Sequence, residues 1–185
     1  NDTVVLSTAA TGTPRPGIDF FPLMCDYRER TCAAGKFPGG FIKREGRPTT
    51  KETLTARLID RPIRPMFAPG FKNEVQCQNF VLSSDKQTDG DVLAMNGTST
   101  ACFISPMPFE DPVASTRVAR VEGEFVAFPA QEQLEESDMD VIISANPVCP
   151  RANAILVAVS PPVVSRAVLK TTPCSMRDRN TSDAP

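Results

Sequence analysis

The sequence contains no histidine in its 185 residues, and this absence removes a whole class of catalytic sites. Without an imidazole there is no Ser-His or Cys-His nucleophile, and the usual general base near neutral pH is missing. Any catalysis must therefore depend on carboxylates, lysine, arginine or a bound metal.

Cysteine pairs of the C-x-x-C type are also absent, so zinc sites and a disulfide framework are both disfavoured. The cysteines are scattered along the chain, and we interpret them as small buried hydrophobic residues. They are Cys25, Cys32, Cys77, Cys102, Cys149 and Cys174.

Long apolar runs are missing as well, since no stretch approaches the roughly 18 residues that a membrane-spanning helix requires. The N-terminal stretch NDTVVLSTAA lacks the basic-then-apolar order of a signal peptide, so we expect a cytoplasmic protein. A hydrophobic content of 41% and a charged content of 23% are typical of a globular chain. The length suits one domain or part of a larger one.

Charge is distributed unevenly along the chain. The net charge is -2, yet residues 28–64 carry ten Lys and Arg residues against four acids, a local balance of +6. A basic segment of this kind attracts phosphates whatever the net charge of the whole chain is. The alternative is an ordinary solvated face with internal salt bridges.

Hydrophobic periodicity predicts an α+β domain. Strands are predicted at 3–8, 20–27, 73–83, 116–121, 124–128 and 141–144, and helices at 49–62, 91–104 and 131–136. Thr49 and Glu52 fit a capping box, and Pro62 is expected to stop or kink the first helix. Leu54 and Leu58 are placed on the buried side of that helix.

Two further local predictions concern turns and packing. Small side chains at helical spacing in 91–104 predict a closely packed helix, and Glu122-Gly123 predicts a two-residue hairpin turn. From Pro147 onward the composition changes to six prolines with no glycine and no aromatic residue. This composition predicts a disordered or loosely attached tail.

Three arginines, Arg57, Arg61 and Arg64, lie at positions i, i+4 and i+7 of the first predicted helix and therefore share one face. Such a face is a candidate clamp for phosphate, because guanidinium groups bind anions through two parallel hydrogen bonds. Asp60 lies beside them and supports the alternative, an internal set of salt bridges.

Several motifs together resemble the first RNase PH-like core of the polynucleotide phosphorylase family. They are GIDFFPL at 17–23, AAGKFPGGFIKREGRP at 33–48 and ETLTARLIDRPIRPMF at 52–67, followed by NEVQ, DVLAMNGTSTA, RVEGEFV and DMDVIIS. The resemblance covers about residues 1–146. It implies a partial first RNase PH-like domain, with a mixed sheet packed by helices and incomplete at its N-terminus, followed over 147–185 by a divergent, poorly ordered tail.

The resemblance implies an activity and an assembly. Members of this family are polyribonucleotide nucleotidyltransferases that degrade RNA from the 3′ end with phosphate, release nucleoside diphosphates in a reversible reaction, and act in mRNA degradation. They form homotrimeric rings, and each subunit has two RNase PH-like cores and C-terminal KH and S1 domains. The partners to expect are single-stranded RNA, inorganic phosphate, further copies of the protein and other RNA-decay proteins. The family's Mg²⁺ is bound by the second core, which this chain lacks.

The same resemblance assigns roles to the basic segment. The loop that contains Phe41, Ile42, Lys43 and Arg44, with Arg47 nearby, corresponds to the loop that holds RNA in the neck of the ring. A ring stacks on any base, cations neutralise the backbone, and glycines permit close approach. Here Ile42 replaces the family's second aromatic residue and Lys43 its first arginine, so we expect a looser grip. The alternative is that Phe41 and Ile42 only anchor the loop to the core.

Arg57, Arg61 and Arg64 correspond to a wall that faces the active site of the second core. The catalytic positions themselves are not conserved in this chain: Leu134, Asp140 and Ile142 stand where the family's second core has an Asp and an Asp-x-Lys. Asp89-Gly90-Asp91 replaces its serine-rich phosphate loop. Only Asp140 remains, so we expect no complete catalytic site, no metal site and no activity from this chain alone, which we also expect to fold poorly by itself.

Other functions stay open at this point. The chain could belong to a non-catalytic RNA-binding or ring-scaffold module, and nothing in its 185 residues separates this from the exoribonuclease. The sequence downstream of residue 146 would decide, because a second core with the Asp and Asp-x-Lys pattern supports the enzyme. A small-molecule enzyme with a metal on Asp85, Asp89 and Asp91 is the remaining alternative.

Overall fold

The computed structural model describes residues 2–14 and 16–146, and the backbone alone of 155–158. The strands are β1 Val4–Thr11, β2 Leu23–Glu29, β3 Val75–Ser83, β4 Ala114–Val121, β5 Glu124–Ala127, β6 Met139–Ala145 and β7 Ile155–Ala158. The helices are α1 Thr50–Ile63, α2 Gly90–Ile104 and α3 Gln131–Glu136. This is the α+β arrangement that the sequence predicts, with each predicted element present.

The strands form two sheets. The first is mixed and has the order β1-β3-β2, with β1 antiparallel and β2 parallel to the central β3. The second has the order β5-β4-β6-β7 and is antiparallel throughout. β7 belongs to the segment predicted to be a poorly ordered tail, and the rest of 147–185, with Cys149 and Cys174, lies outside the described residues.

Helix α2 joins the two sheets because it packs along β1 and also contacts β4. Its small residues permit the close approach that the sequence predicts: a Cβ atom added to Gly97 would lie 2.4 Å from Oγ of Ser7. Buried hydrogen bonds tie the helix on both sides, from the hydroxyl of Thr98 to Asn79 at 2.7 Å and from the amide of Ser115 to Asn96 at 2.7 Å. The core lies between α2, α1 and the first sheet.

Helix α1 begins with the predicted capping box. The amide of Glu52 donates to the Thr49 hydroxyl, and the amide of Thr49 donates to the Glu52 carboxylate. Pro62 does not stop the helix at once, because α1 continues to Ile63 and then tightens into a 3-10 turn at Arg64–Met66. The changeover follows from the missing N–H of proline, which weakens the last α-helical turn.

Three predictions of burial or extent are wrong. Leu54 is 57% exposed, whereas Leu58 packs against the core as predicted. The buried residues of α1 are Glu52, Thr55, Ile59, Pro62 and Ile63. Cys32 is exposed, in a 3-10 turn at Thr31–Ala34. β2 begins at Leu23 rather than residue 20.

The predicted hairpin turn between β4 and β5 is confirmed. Glu122 and Gly123 both have positive φ angles, 50° and 87°, as a two-residue turn that follows the twist of the strands requires. Within the described part of the chain, no helix is long and apolar enough to cross a membrane.

Candidate functional site

The basic loop between β2 and α1 is closed at its base by one residue, Thr31. The Thr31 carbonyl accepts a hydrogen bond from the amide of Lys36 at 3.1 Å, just after Gly35, whose φ of 68° turns the chain out of the 3-10 turn. The amide and hydroxyl of Thr31 donate to the carboxylate of Glu45 at 2.9 and 2.8 Å. Residues 36–45 therefore form a loop whose two ends meet at Thr31.

The apolar side chains of this loop point into solvent. Phe41 is fully exposed, and Ile42 is 74% exposed. The interpretation that these two residues anchor the loop to the core is therefore wrong. They border a groove of about 580 Å³ that is lined otherwise by glycines, Arg44, Glu45 and Arg47.

The cations of the loop are available to a ligand. Lys43 and Arg44 of the loop and Arg47, two residues after it, are exposed, and none of them forms an ion pair with a residue that the structure describes. The loop's acid, Glu45, is engaged: hydrogen bonds from the backbone and then the hydroxyl of Thr31 lower its pKa and keep it ionised. Lys43 adopts a φ of 49°, an unusual conformation for a residue with a side chain.

The three arginines of α1 and of the 3-10 turn that follows it are not equivalent. Arg64 donates two hydrogen bonds to Asp60, at 3.1 and 2.6 Å, and two more to the carbonyls of Phe21 and Leu23 at the edge of β2. Its guanidinium also lies 5.8 Å from the centre of the Phe21 ring. Arg64 therefore serves as an internal contact, as the salt-bridge alternative proposed.

Arg57 and Arg61, by contrast, are exposed and form no ion pair within the described residues. Arg57 lines a groove of about 410 Å³ between α1 and the edge of β2, together with Asp60 and Arg64. Of the three predicted clamp residues, these two have guanidinium groups that are available to an anion.

Asp140 lies in a network of buried charges around Arg117. The guanidinium of Arg117 donates to both oxygens of Asp140, at 2.8 and 2.6 Å, and to Asp89 at 2.6 Å. A carboxylate oxygen of Asp91 lies 3.6 Å away. Asp91 and Asp140 are buried, and only 13% of the Arg117 side chain is exposed.

Lys51, which lies on α1, extends this network. Its ammonium group lies 3.0 Å from Asp89 and 3.2 Å from Glu29. Burial alone would raise the pKa of Asp89, but the attraction of Lys51 and Arg117 outweighs it and lowers the pKa. Burial and repulsion from Asp89 raise the pKa of Asp91, which is thus the least compensated carboxylate of the cluster.

The residues at the predicted catalytic positions do not fit a magnesium ion. Both oxygens of Asp140 are used by Arg117, Ile142 is buried, and Leu134 is an apolar side chain. Among the described residues no three potential ligands converge on a metal site.

The alternative metal set, Asp85 with Asp89 and Asp91, is not assembled either. Backbone amides of Thr88 and Gln87 donate to Asp85 and lower its pKa to about 2. Its carboxylate thus caps a turn, while Asp89 and Asp91 face Arg117.

Sequence reasoning missed Arg117. One signal was available: the predicted strand 116–121 contains two arginines, Arg117 and Arg120, among otherwise mostly apolar residues, but the sequence does not show which of them is buried. The three acidic neighbours of Arg117 come from two other segments, so no local pattern could pair them with it.

Comparison with known proteins places these features in context. Residues 1–108 match the family described as the 3′ exoribonuclease family, domain 1. A polyribonucleotide nucleotidyltransferase of Rhodopirellula baltica is 65% identical over 145 residues, which are 78% of this chain and 19% of that protein. The protein of the same name from Rhodospirillum centenum is 56% identical over 144 residues, 77% of this chain and 20% of that protein. The chain spans about a fifth of the length of these curated relatives.

Solved structures share the fold at low sequence identity. Rice (Oryza sativa) Rrp46 superposes with a TM-score of 0.68 at 12% identity, over 89% of this chain and 72% of that one. The Archaeoglobus fulgidus exosome, solved with RNA bound to its active site, gives a TM-score of 0.62 at 15% identity over 88% and 70%. The RNase PH-like fold that the sequence predicts is thereby confirmed.

Proposed function

We propose that this chain, which belongs to the 3′ exoribonuclease family, domain 1, supplies RNA and phosphate contacts to a phosphorolytic 3′ to 5′ exoribonuclease. Its loop at 36–45, with Arg47 just after it, holds single-stranded RNA. Arg57 and Arg61 form part of the wall of an active site whose catalytic residues another domain provides. The protein as a whole then acts as a polyribonucleotide nucleotidyltransferase in mRNA degradation. The name polyribonucleotide nucleotidyltransferase, which its curated relatives carry, supports this reaction.

The observation that carries the proposal is the exposure of Phe41 among unpaired cations. A single exposed phenylalanine is not unusual, but Phe41 lies beside the exposed Ile42 in a groove bordered by cations, and an exposed apolar patch with a polar rim is typical of an interaction site. Single-stranded nucleic acids offer a partner for such a site, because every base has a face on which a ring stacks while cations contact the phosphates. The loop at 36–45 presents both kinds of group at one place.

Removing the ring of Phe41 is expected to weaken RNA binding by the full-length protein. Phe41→Ala should lower the affinity for a single-stranded RNA oligonucleotide by roughly 5- to 150-fold, because stacking contributes about 1–3 kcal/mol per base. Fluorescence anisotropy with labelled oligo(A) measures the change. Phe125→Ala is the matched control, since Phe125 is 70% exposed but lies on the β4–β5 hairpin, outside the loop.

Replacing both Lys43 and Arg44 by alanine should also flatten the dependence of RNA affinity on salt. Each lost phosphate contact lowers the slope of log affinity against log salt by roughly 0.7 for a single strand. Unchanged affinity for Phe41→Ala together with an unchanged slope for the double variant would refute the assignment of this loop.

The clamp is tested by Arg57→Lys and Arg61→Lys in the full-length protein. Each keeps its charge but loses the planar fork, so phosphorolysis should require roughly 10-fold more phosphate while the melting temperature stays unchanged. Arg64→Lys is the contrasting variant, because its contacts to Asp60 and β2 predict a small loss of stability rather than a kinetic change. A phosphate titration and a melting curve are measured for each variant. Unchanged phosphate dependence for Arg57→Lys and Arg61→Lys would favour a non-catalytic RNA-binding module.

The assembly and cofactor of the whole protein remain predictions that belong to this proposal. We propose a homotrimeric ring in which the loops at 36–45 of the subunits lie near one another, with Mg²⁺ bound in the second core. The cytoplasm is the location that the sequence predicts. Light scattering of the full-length protein tests the trimer, and any other stoichiometry would contradict it.

A further inference from the structure

A second phenylalanine of the basic loop, Phe37, has no role in the functions described so far. Its side chain is 94% exposed, and among the described residues only Phe41 is a more exposed large hydrophobic side chain. No other aromatic ring within the described part of the chain contacts it. A ring that the fold leaves in water is available to a ligand.

Phe37 and Phe41 belong to the same closed loop. Phe37 directly follows Lys36, whose amide is bonded to Thr31, and Glu45 fixes the other end of the loop to the same residue. Since Phe41 is four positions after Phe37, their Cα atoms lie at most about 14 Å apart. Because Phe37 follows the anchored Lys36, its backbone is held in place better than the backbone of a residue at the tip of the loop.

Charge around Phe37 fits an anionic chain rather than an apolar partner. Arg30 and Lys36 precede it in the chain and are exposed, and Lys43, Arg44 and Arg47, also exposed, follow it. An apolar protein surface would have to bury these cations, which is costly without paired acids. A nucleic acid strand instead brings one phosphate for each base.

We propose that Phe37 is a second base-stacking residue of the loop and supplies the ring that Ile42 cannot. Branched aliphatic side chains such as that of Ile42 have no π face, so Ile42 contributes only apolar contact at its place in the loop. Phe37 then contacts a base near the one on Phe41, and the loop holds two bases of one strand. The inference rests on the proposed function, because it takes single-stranded RNA as the ligand of this loop.

The experiment compares Phe37→Ala and Phe37→Tyr with the native full-length protein by fluorescence anisotropy. One probe is labelled oligo(A); the other ligand is inorganic polyphosphate, a polyanion without bases, added as a competitor. Phe37→Ala should lower the affinity for oligo(A) by about 5-fold or more, with the salt slope and the affinity for polyphosphate unchanged. Phe37→Tyr should restore binding, because tyrosine keeps the ring. Phe125→Ala again serves as the control.

The outcomes separate this inference from the proposed function. If Phe41→Ala weakens the binding of oligo(A) and Phe37→Ala does not, the role of Phe37 is refuted and the RNA-binding loop stands. If neither variant weakens binding, both are refuted. If Phe37→Ala changes the oligomeric state in light scattering while the affinity for oligo(A) stays the same, the ring belongs to a subunit contact and the inference is overturned.

Discussion

Purified alone and incubated with magnesium, phosphate and poly(A), the 185-residue chain is expected to release no nucleoside diphosphate. Asp140 cannot serve as a metal ligand or proton donor while both of its oxygens accept hydrogen bonds from Arg117. At the start of α2, Asp89 and Asp91 take up the positive charge of Arg117 together with Asp140, and the surplus of carboxylates around this one guanidinium disfavours a further anion such as phosphate.

Chromatographic detection of nucleoside diphosphates checks this prediction. The full-length Rhodopirellula baltica polyribonucleotide nucleotidyltransferase, a relative at 65% identity, is the positive control. The Asp140→Asn variant of the chain provides the baseline. Release above that baseline would show that Asp140 is catalytic and that the active site is misplaced in our proposal.

Replacing Arg117 by methionine is expected to destabilise the second sheet strongly. The substitution leaves Asp89, Asp91 and Asp140 without their common counter-ion, and removal of one partner from a buried ion pair costs about 3–5 kcal/mol. Hydrogen exchange of the amides in β4 and β6 of the full-length protein should therefore become about 100-fold faster or more.

Arg120→Met is the matched control, because Arg120 lies on the same strand and pairs with Asp138 at the surface. An exposed pair contributes about 0–1 kcal/mol, so exchange should barely change. Equal effects of the two substitutions would contradict the structural role of the Arg117 network.

The pH dependence of Asp91 gives a second check on the same network. A folded-state pKa above the unfolded value means that ionised Asp91 lowers stability, and that this penalty disappears as the pH falls. Asp91→Asn should therefore match or exceed the native protein in stability at neutral pH and lose that advantage below about pH 4. Asparagine can still accept the hydrogen bond from the amide of Val92. A large loss of stability at neutral pH would contradict this.

The sequence predicts the elements of this fold better than their surroundings. The capping box of α1 and the Glu122-Gly123 turn depend on neighbouring residues only, and both are observed. Of the two leucines predicted on the buried side of α1, Leu58 packs against the core but Leu54 is exposed, because Leu54 and Ile59 are equally apolar and only the packing of β2 selects one of them.

Among the candidate site residues, the sequence could identify cations but not their partners. Arg57 and Arg61 lie in α1 and Arg64 begins the 3-10 turn that follows it, and only Arg64 lies within reach of the carbonyl groups of Phe21 and Leu23. These carbonyls are more than 40 residues away in the chain. The Arg117 network was missed for the same reason, since it forms where β4, β6 and the start of α2 meet.

The attachment of both ends of the basic loop to Thr31 has a thermodynamic consequence. Bringing the ends of a flexible segment together costs conformational entropy, and in residues 36–45 this cost is met within the folded domain, before the RNA strand of our proposal binds. Binding then has to restrict only the tip around Gly40 and the rotamers of the exposed side chains. More of the energy from each stacked base is thereby retained as affinity, while the tip can still adapt to whichever base passes.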